Sequence, residues 1–298
     1  MCARARLLCC AAAVMWLPAM VACAQVAGLE EVELRPGVGG ASAGGVTATG
    51  TSSTGAGGTV TGAGGGGGCA SDYAAEVMAD QPVWYWRLGE SAAAAARDEV
   101  GLNDGTCIGM PTVGEPGALA CDDDTVVRLD GGDQYINFDD IFEFSGTASF
   151  FVEVWMKADI VDSDDRYIVS HRKDPRTTPA VGWGLYIVDQ HLDFRRWFAD
   201  SSRDVANVPI DQIALDRYIH IVATYDGSNM RLYVDGLLVA EASSIDAIDT
   251  TDAHLLAGRP YVDATQDHFA GLIDEIAIYD VALDATRVRA HHDAGIGQ

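Results

Sequence analysis

The chain has 298 residues, with 44 Asp or Glu against 19 Lys or Arg, so its formal net charge at pH 7 is −25. Nucleic acids and anionic membrane surfaces attract proteins that carry Lys/Arg patches, and this composition excludes both as expected partners. The acidic balance is compatible with neutral glycans, protein partners or divalent cations, or it simply keeps an exported protein soluble.

Residues 1–24 are predicted to be a signal peptide. Arg4 and Arg6 precede the apolar run Leu7–Val21, which is short for a transmembrane helix. Two processing patterns overlap: Met20–Cys23 resembles a bacterial lipobox, which would lipidate Cys23, and Ala22–Ala24 fits ordinary cleavage. We favour lipidation at Cys23, which predicts an exported protein that is held on the cell envelope by a lipid anchor or is secreted.

Residues 25–70 are predicted to be a disordered linker. No charged residue occurs between Pro36 and Cys69, and Gly, Ala, Ser and Thr dominate. Such a segment cannot bury enough apolar surface to offset the entropy of ordering it. The folded domain is therefore assigned to residues 71–298.

The domain is predicted to be built almost entirely of strands. A short helix is predicted near Tyr73–Ala79, and a terminal helix is capped by Asp284, turns Val288 inward and ends at Gly295. The predicted strands share apolar or alternating runs bounded by Gly, Pro, Asp and Ser: Val83–Leu88, Val126–Leu129, Tyr135–Phe138, Ser149–Lys157, Tyr167–His171, Gly184–Val188, His191–Phe198, Tyr218–Tyr225, Met230–Val234, Leu237–Ala240, His254–Gly258 and His268–Tyr279.

Arg217–Ala240 gives the clearest local prediction, a meander of three antiparallel strands. Alternation puts Ile219, Ile221, Ala223 and Tyr225 on one face of its first strand. Asp235-Gly236 is a dipeptide that two-residue hairpin turns favour, because both central residues need positive φ. A meander of this kind is typical of a β-sandwich.

Three cysteines follow the predicted signal segment. Cys107 and Cys121 flank the turn-rich segment Gly114–Gly117, so we predict a disulfide between them. In the chain-entropy model a loop of this size contributes about 3 kcal/mol of stability. Cys69 is then a free thiol or forms an intermolecular bridge.

Several motifs occur in a fixed order along the domain: Val83–Glu90, Asp98 with Gly101 and Asp104-Gly105, Pro116–Leu119 with Asp130-Gly131, Phe151–Met156, and Phe269–Tyr279. In this order they resemble the laminin-G-like, concanavalin A-like jelly-roll domains of secreted bacterial proteins. The resemblance implies an all-β fold, a two-sheet antiparallel jelly-roll sandwich with a short C-terminal helix.

The resemblance also implies one structural calcium ion, because related jelly rolls often hold Ca²⁺ at the edge of the sandwich. The matching positions are Asp98, Asn103 or Asp104 from an early turn and Asp274 from a late strand. The alternative is that Asp98 and Asp104 only form turns and that Asp274 caps a strand end.

Aromatic side chains around the turn Val188–His191 are the candidates for ligand binding. Trp183 and Trp197 would stack on sugar rings, while Tyr186 and Arg195 supply hydrogen-bonding groups. Packing of these residues against neighbouring strands remains an open alternative.

Catalysis is not expected. Glycan hydrolases of this superfamily place two acidic residues at alternate positions of one strand, as retaining chemistry requires. Here Glu153 is alone on its strand, and Asp274 and Glu275 are adjacent, so they are expected to point to opposite faces.

The sequence thus predicts a non-catalytic module of the cell surface that recognises a glycan or a protein, with calcium dependence as an open question. A structural component of the cell envelope is the alternative, and a glycan hydrolase of the same superfamily is the less favoured one.

Overall fold

The computed structural model describes residues 73–298, except residues 102, 143, 177, 178 and 250. The predicted signal peptide, the lipidation site Cys23, the linker and Cys69 lie outside the described residues. The described residues belong to one compact unit, which spans residues 63–298.

Two antiparallel sheets of eight strands each form a sandwich. Sheet A consists of β1 Trp84–Trp86, β4 Thr112–Pro116, β5 Thr125–Asp130, β7 Phe150–Ala158, β12 Ile219–Tyr225, β13 Asn229–Val234, β14 Leu237–Ser243 and β16 Ala270–Tyr279. Sheet B consists of β2 Ala95–Ala96, β3 Gly105–Ile108, β6 Tyr135–Asn137, β8 Arg166–Arg172, β9 Gly182–Val188, β10 His191–Trp197, β11 Arg203–Pro209 and β15 Leu255–Ala257.

The strand orders are those of a jelly roll, in which sequence neighbours are often separated in space. Sheet A runs β14-β13-β12-β7-β16-β5-β4, with β1 also paired to β16, and sheet B runs β11-β10-β9-β8-β15-β6-β3-β2. The predicted fold class, a two-sheet antiparallel jelly-roll sandwich, is confirmed.

The main hydrophobic core lies between the sheets and follows the period of two expected of strands. Ile219, Ile221, Ala223 and Tyr225 all point into it from β12, as the alternation of the meander predicts. Asp235 and Gly236 both have positive φ, 50° and 73°, so the predicted two-residue hairpin turn is also present.

Two helices cover the outer face of sheet A. Helix α1 (Tyr73–Ala79) and helix α2 (Ala285–Gly295) contact each other and contribute Tyr73, Val77 and Val288 to a second apolar cluster on that face. The Asp284 carboxylate accepts hydrogen bonds from the backbone N–H groups of Thr286 and Arg287, so the predicted N-cap is confirmed. None of the described helices is long and apolar enough to cross a membrane.

The predicted disulfide between Cys107 and Cys121 is wrong. Cys107 carries a free thiol, and its partial burial raises its pKa to about 11. The turn-rich segment Gly114–Gly117 does not return the chain to Cys107: it belongs to the end of β4 in sheet A, whereas Cys107 lies in β3 of sheet B. Cys107 therefore lies in sheet B. Cys121 lies in the connection between β4 and β5, and its disulfide bond is not to Cys107.

Candidate functional site

The two outer faces of the sandwich differ in what lies on them. The outer face of sheet A is packed against α1 and α2. On sheet B a separate cluster of Tyr167, Tyr186, Val188 and Trp197 lies outside the main core. Among the described elements neither helix packs on this cluster. Its rings are nevertheless buried, with Tyr167 2%, Tyr186 0% and Trp197 6% exposed, so a ligand on this side would first meet the side chains that cover them.

Three rings from three neighbouring strands form what we call the aromatic stack, Tyr167, Tyr186 and Trp197. The Tyr167 and Tyr186 rings are almost parallel, with an interplanar angle of 2° and centroids 4.3 Å apart. The Tyr186 and Trp197 rings follow at 5.8 Å and 25°. Face-to-face order of this kind turns separate side chains into one rigid apolar surface.

The hairpin β9–β10 explains how the sequence builds this stack. Asp189 and Gln190 form its two-residue turn, both with positive φ, which fixes Tyr186 opposite Asp193 in the register. A Cβ on Gly184 would lie 3.3 Å from the rings of both Trp197 and Tyr167. Because glycine has no Cβ, the rings of Trp197 and Tyr167 can pack closely over the backbone at this position.

Two arginines cap the rings. The Arg195 guanidinium lies 5.0 Å from the centroid of the Tyr186 ring, and it is paired with Asp193, whose Oδ2 is 2.6 Å from its Nη2. The Arg172 guanidinium lies 4.3 Å from the centroid of the Trp197 ring, and its Nη1 donates to the Tyr167 hydroxyl at 2.6 Å. Guanidinium groups over aromatic faces add an electrostatic attraction to the packing.

Three buried polar atoms of described residues on this face have no hydrogen-bond partner: the Tyr186 hydroxyl, the Nε of Arg172 and Oδ1 of Asp193. Leaving a buried donor unsatisfied costs about 1–3 kcal/mol, so such atoms are rare in a finished structure. Burial raises the pKa of Tyr186 far above its ordinary value and that of Tyr167 to about 12, so both hydroxyls keep their protons.

Asp165 is the acidic residue whose titration is most strongly altered near the stack. Burial and the nearby charge of Asp267 raise its pKa to about 6, while Arg195 and Arg172 oppose the shift. Burial also raises the pKa of Asp267. The charge of this face therefore changes within the mildly acidic range.

Three of the four residues predicted to bind ligand come together here: Tyr186, Arg195 and Trp197. Trp183 does not, because it alternates with Tyr186 on β9 and points into the main core. The predicted joint stacking of Trp183 and Trp197 on a sugar is therefore wrong. Sequence reasoning missed Tyr167 and Arg172, because they are five residues apart and regular alternation would place them on opposite faces of β8. A β-bulge between Tyr167 and Val169 shifts the alternation and brings them to the same face.

The residues predicted to hold calcium are not arranged as one ligand set. The Asp98 carboxylate accepts hydrogen bonds from the backbone N–H groups of Tyr85, Val100 and Asn103, and Asp104 accepts one from the N–H of Asp98. These residues close a turn. The described residues contain no group of three or more His, Cys, Asp or Glu arranged to hold a metal ion.

Asp274, the fourth predicted calcium ligand, lies in a β-bulge of β16 together with Glu275. Asp274 Oδ2 accepts from the N–H of Ala118, and its Oδ1 is buried without a partner. Burial and the charge of Asp124 raise the pKa of Asp274 to about 8. Calcium binding by these residues therefore stays a prediction.

In a regular strand Asp274 and Glu275 would point to opposite faces, but the bulge interrupts that alternation. Burial and the charge of Asp274 raise the pKa of Glu275, which accepts a hydrogen bond from the Tyr85 hydroxyl and lies 3.2 Å from Arg87 Nε. Both carboxyl groups are at most 2% exposed. The pair is closed to a substrate and is part of the scaffold.

Glu153 is the centre of a buried polar network beneath the two helices. Its carboxylate lies 3.1 Å from His220 Nε2 and 2.9 Å from His291 Nδ1, and it accepts a hydrogen bond from the Tyr279 hydroxyl at 2.8 Å. His291 Nε2 in turn lies 3.1 Å from Asp80, just after α1. This network joins β7 and β12 to both helices and has a structural role.

Two open cavities flank the face of sheet B. One of about 260 Å³ is lined by Arg172, Lys173, Asp252, His254 and Tyr261, among others, so it shares Arg172 with the aromatic stack. A second of about 480 Å³ lies beside Arg166, Arg259 and His268. The first cavity extends the candidate face in the direction of Arg172.

Comparisons with known proteins agree with this architecture. Residues 130–289 match the family model described as the concanavalin A-like lectin/glucanases superfamily. Comparison with curated proteins found no match.

Solved structures similar to the chain include two binding domains and one domain of an arabinanase. The botulinum neurotoxin serotype G binding domain is 13% identical with a TM-score of 0.53, covering 71% of this chain and 50% of that one. The binding domain of Paraclostridial Mosquitocidal Protein 1 is 14% identical with a TM-score of 0.57, covering 71% and 52%. Domain 4 of AbnA, a GH43 extracellular arabinanase from Geobacillus stearothermophilus in complex with arabinotriose, is 18% identical with a TM-score of 0.54, covering 71% and 98%.

The chain spans about half the length of the two toxin domains that it matches. At these identities the similarity shows the fold and does not by itself assign a ligand.

Proposed function

Since the chain belongs to the concanavalin A-like lectin/glucanase superfamily, we propose that it is a non-catalytic binding module that recognises a glycan through the outer face of sheet B. The observation that carries this proposal is the aromatic stack with its unsatisfied polar atoms. Sugars present apolar faces beside hydroxyl groups, so they are bound by flat rings next to hydrogen-bonding groups.

The Tyr186 hydroxyl is the most specific element of the argument. A tyrosine that served only to fill space here would not need a hydroxyl, and burying one without a partner costs free energy. A sugar hydroxyl would supply the missing partner once the side chains that cover the stack, Arg195 among them, move aside. The arabinotriose bound to the arabinanase domain is compatible with a fold of this kind binding a glycan.

A glycan hydrolase is the weaker alternative. The two carboxyl groups of the β16 bulge are buried, and Glu153 is enclosed by His220, His291 and Tyr279. On the aromatic face, Asp193 is held by Arg195. Retaining hydrolysis needs two accessible carboxyl groups about 5–5.5 Å apart, and the carboxyl groups of Glu153, Asp193, Asp274 and Glu275 are all buried.

The test combines a glycan array with calorimetry on the tightest ligand, using the wild-type chain and Tyr186→Phe. We expect the variant to be at least as stable as the wild type and to bind roughly two- to tenfold more weakly, since it loses one ligand hydrogen bond. The matched control is Tyr225→Phe, which removes a hydroxyl that donates to the Ser244 carbonyl at 3.0 Å. This control should lose stability and keep its affinity.

Absence of any bound glycan in the array and calorimetry would count against the proposal and favour the structural role in the cell envelope. Hydrolysis of the bound glycan during calorimetry, seen as product by chromatography, would favour the enzyme instead.

Calcium dependence, export and the lipid anchor belong to this proposal as expectations. Repeating the calorimetry with EDTA tests the first, and unchanged affinity would remove calcium from the account. Labelling cells with a fatty-acid analogue tests the anchor, because Cys23→Ser should abolish incorporation if Cys23 is the lipidated residue.

A further inference from the structure

Among the described residues no carboxylate oxygen lies within ion-pair distance of Arg172, although three cations close to it are paired. Arg195 pairs with Asp193, Lys173 Nζ lies 2.8 Å from Asp252, and Arg176 Nη2 lies 2.8 Å from Asp174. Other described cations, such as Arg203 and Arg259, also lack an ion pair. What distinguishes Arg172 is its position, between the aromatic stack and an open cavity.

The Arg172 side chain is nevertheless held in place. Its guanidinium lies on the Trp197 ring and its Nη1 donates to the Tyr167 hydroxyl, while its Nε is buried and unsatisfied. The same side chain lines the cavity of about 260 Å³. A fixed guanidinium with unused donors between an aromatic surface and an open cavity matches the planar geometry of a carboxylate or sulfate group.

We infer that Arg172 is the anion-recognising residue of this face and that the ligand is an acidic glycan, whose carboxylate or sulfate group takes the place of the missing counter-ion. The inference rests on the proposed function and narrows its ligand class. In this arrangement one sugar packs beside Trp197, and the acidic group lies at Arg172 on the side of the cavity.

The surroundings of Arg172 allow an anion despite the charge of the whole chain. Asp252 and Asp174 line the cavity but are engaged by Lys173 and Arg176. Asp263 also lines the cavity, and the charges of Asp165 and Asp267 reach Arg172. These carboxylates disfavour anions that are not held by a fixed guanidinium, so they add selectivity to the site.

The test uses the full chain on an array that carries carboxylated glycans beside their methyl esters and sulfated glycans beside their desulfated forms. We expect the acidic member of at least one pair to bind roughly tenfold to hundredfold more tightly than its neutral counterpart, which is the usual effect of a hydrogen bond to a charged group. The carboxylate and sulfate arms distinguish the two sources of the anion.

Arg172→Gln should remove this preference, so that the acidic and neutral members bind within about twofold of each other. Arg172→Lys, which keeps the charge but loses the planar donor pair, should retain only part of the preference. Arg217→Gln is the control, because it removes the same charge from a side chain that is 55% exposed just before β12, in the other sheet. It should leave both members of the pair unchanged.

Each result has a distinct meaning. Equal binding of acidic and neutral members by the wild type would overturn this inference and leave the proposed function intact. An equal loss for both members in Arg172→Gln would also overturn it, since the residue would then act only in packing. No binding to any glycan would overturn the proposed function itself.

Discussion

At the residue scale, the environment of a side chain rather than its type decides its role. The sequence predicts both Trp183 and Trp197 as sugar-stacking residues. In the structure Trp183 is in the main core and Trp197 is in the aromatic stack. The alternation along β9 could separate Trp183 from Tyr186, but it could not say which face is the inner one. That depends on how the sheets pack, which is a property of the whole sandwich.

The Asp274 carboxyl group gives a prediction about stability and pH. Its pKa is about 8 in the fold against an ordinary 3.8, so between these values the folded state binds more protons than the unfolded state. Its contribution to stability is therefore present at low pH and is lost as the pH rises from about 4 to about 8. Asp274→Asn should be more stable than the wild type at pH 8, by at least about 1 kcal/mol.

Urea denaturation at pH 5 and pH 8 measures this effect, with Asp280→Asn as the control at the exposed turn after the same strand. Equal stability of Asp274→Asn and the wild type at both values would mean that Asp274 is not protonated in the fold.

Asp165 gives a prediction about binding and pH. Its pKa of about 6 means that it is mostly neutral at pH 5 and ionised at pH 7.5. Asp267 faces the same region, Asp193 is neutralised by Arg195, and Arg172 and Arg195 are the cations. An acidic glycan should bind several-fold more tightly at pH 5, and Asp165→Asn should bind with nearly equal affinity at both values. A wild-type affinity that is independent of pH would contradict this.

At the element scale, the most informative result is the role of the motif around Glu153 and Trp155. The sequence presents it as a family signature, and the structure assigns it to the docking of α1 and α2. The partners His220, Tyr279 and His291 come from distant parts of the chain, so the network could not be predicted from local spacing. Strands β3, β4 and β11 were missed for a related reason: they are short or weakly patterned and are stabilised by their neighbours.

The Glu153 network is charged in the fold. Burial raises the pKa of Glu153, but its histidine partners His291 and His220 outweigh burial and lower it, while Glu153 and Asp80 raise the pKa of His291 against its own burial. The Glu153 contribution to stability is lost as the pH falls below its ordinary range, and the His291 contribution is lost as the pH rises above 6.5.

Glu153→Gln should therefore cost about 3–5 kcal/mol of stability near neutral pH, because it leaves the buried His291 without its main counter-charge. Chemical denaturation measures the loss, and limited proteolysis of the C-terminal helix reports whether α2 has detached. Glu241→Gln on the edge strand β14, where the ion pair with Arg231 is solvent-exposed, should change stability by less than about 1 kcal/mol. Similar values for both variants would show that the network does not hold the helices.

At the scale of the whole molecule, the sandwich is asymmetric: helices cover one sheet, and the other carries an aromatic face. The ordered motifs were sufficient to predict the fold class, the meander and both helices. The candidate face was predicted only in part, because Tyr167 and Arg172 lie on β8, separated along the chain from the β9–β10 hairpin that carries Tyr186, Arg195 and Trp197.

The central claim is that a glycan binds on the outer face of sheet B. The chain has six tryptophans, and the indole N–H signal of each reports its own location in an NMR titration. With the tightest glycan from the array, we expect the Trp197 signal to shift progressively, while those of Trp155 beneath the helices and of Trp84 and Trp183 in the core stay in place. A saturable shift of Trp155 with no change at Trp197 would place the ligand on the opposite sheet and contradict the account.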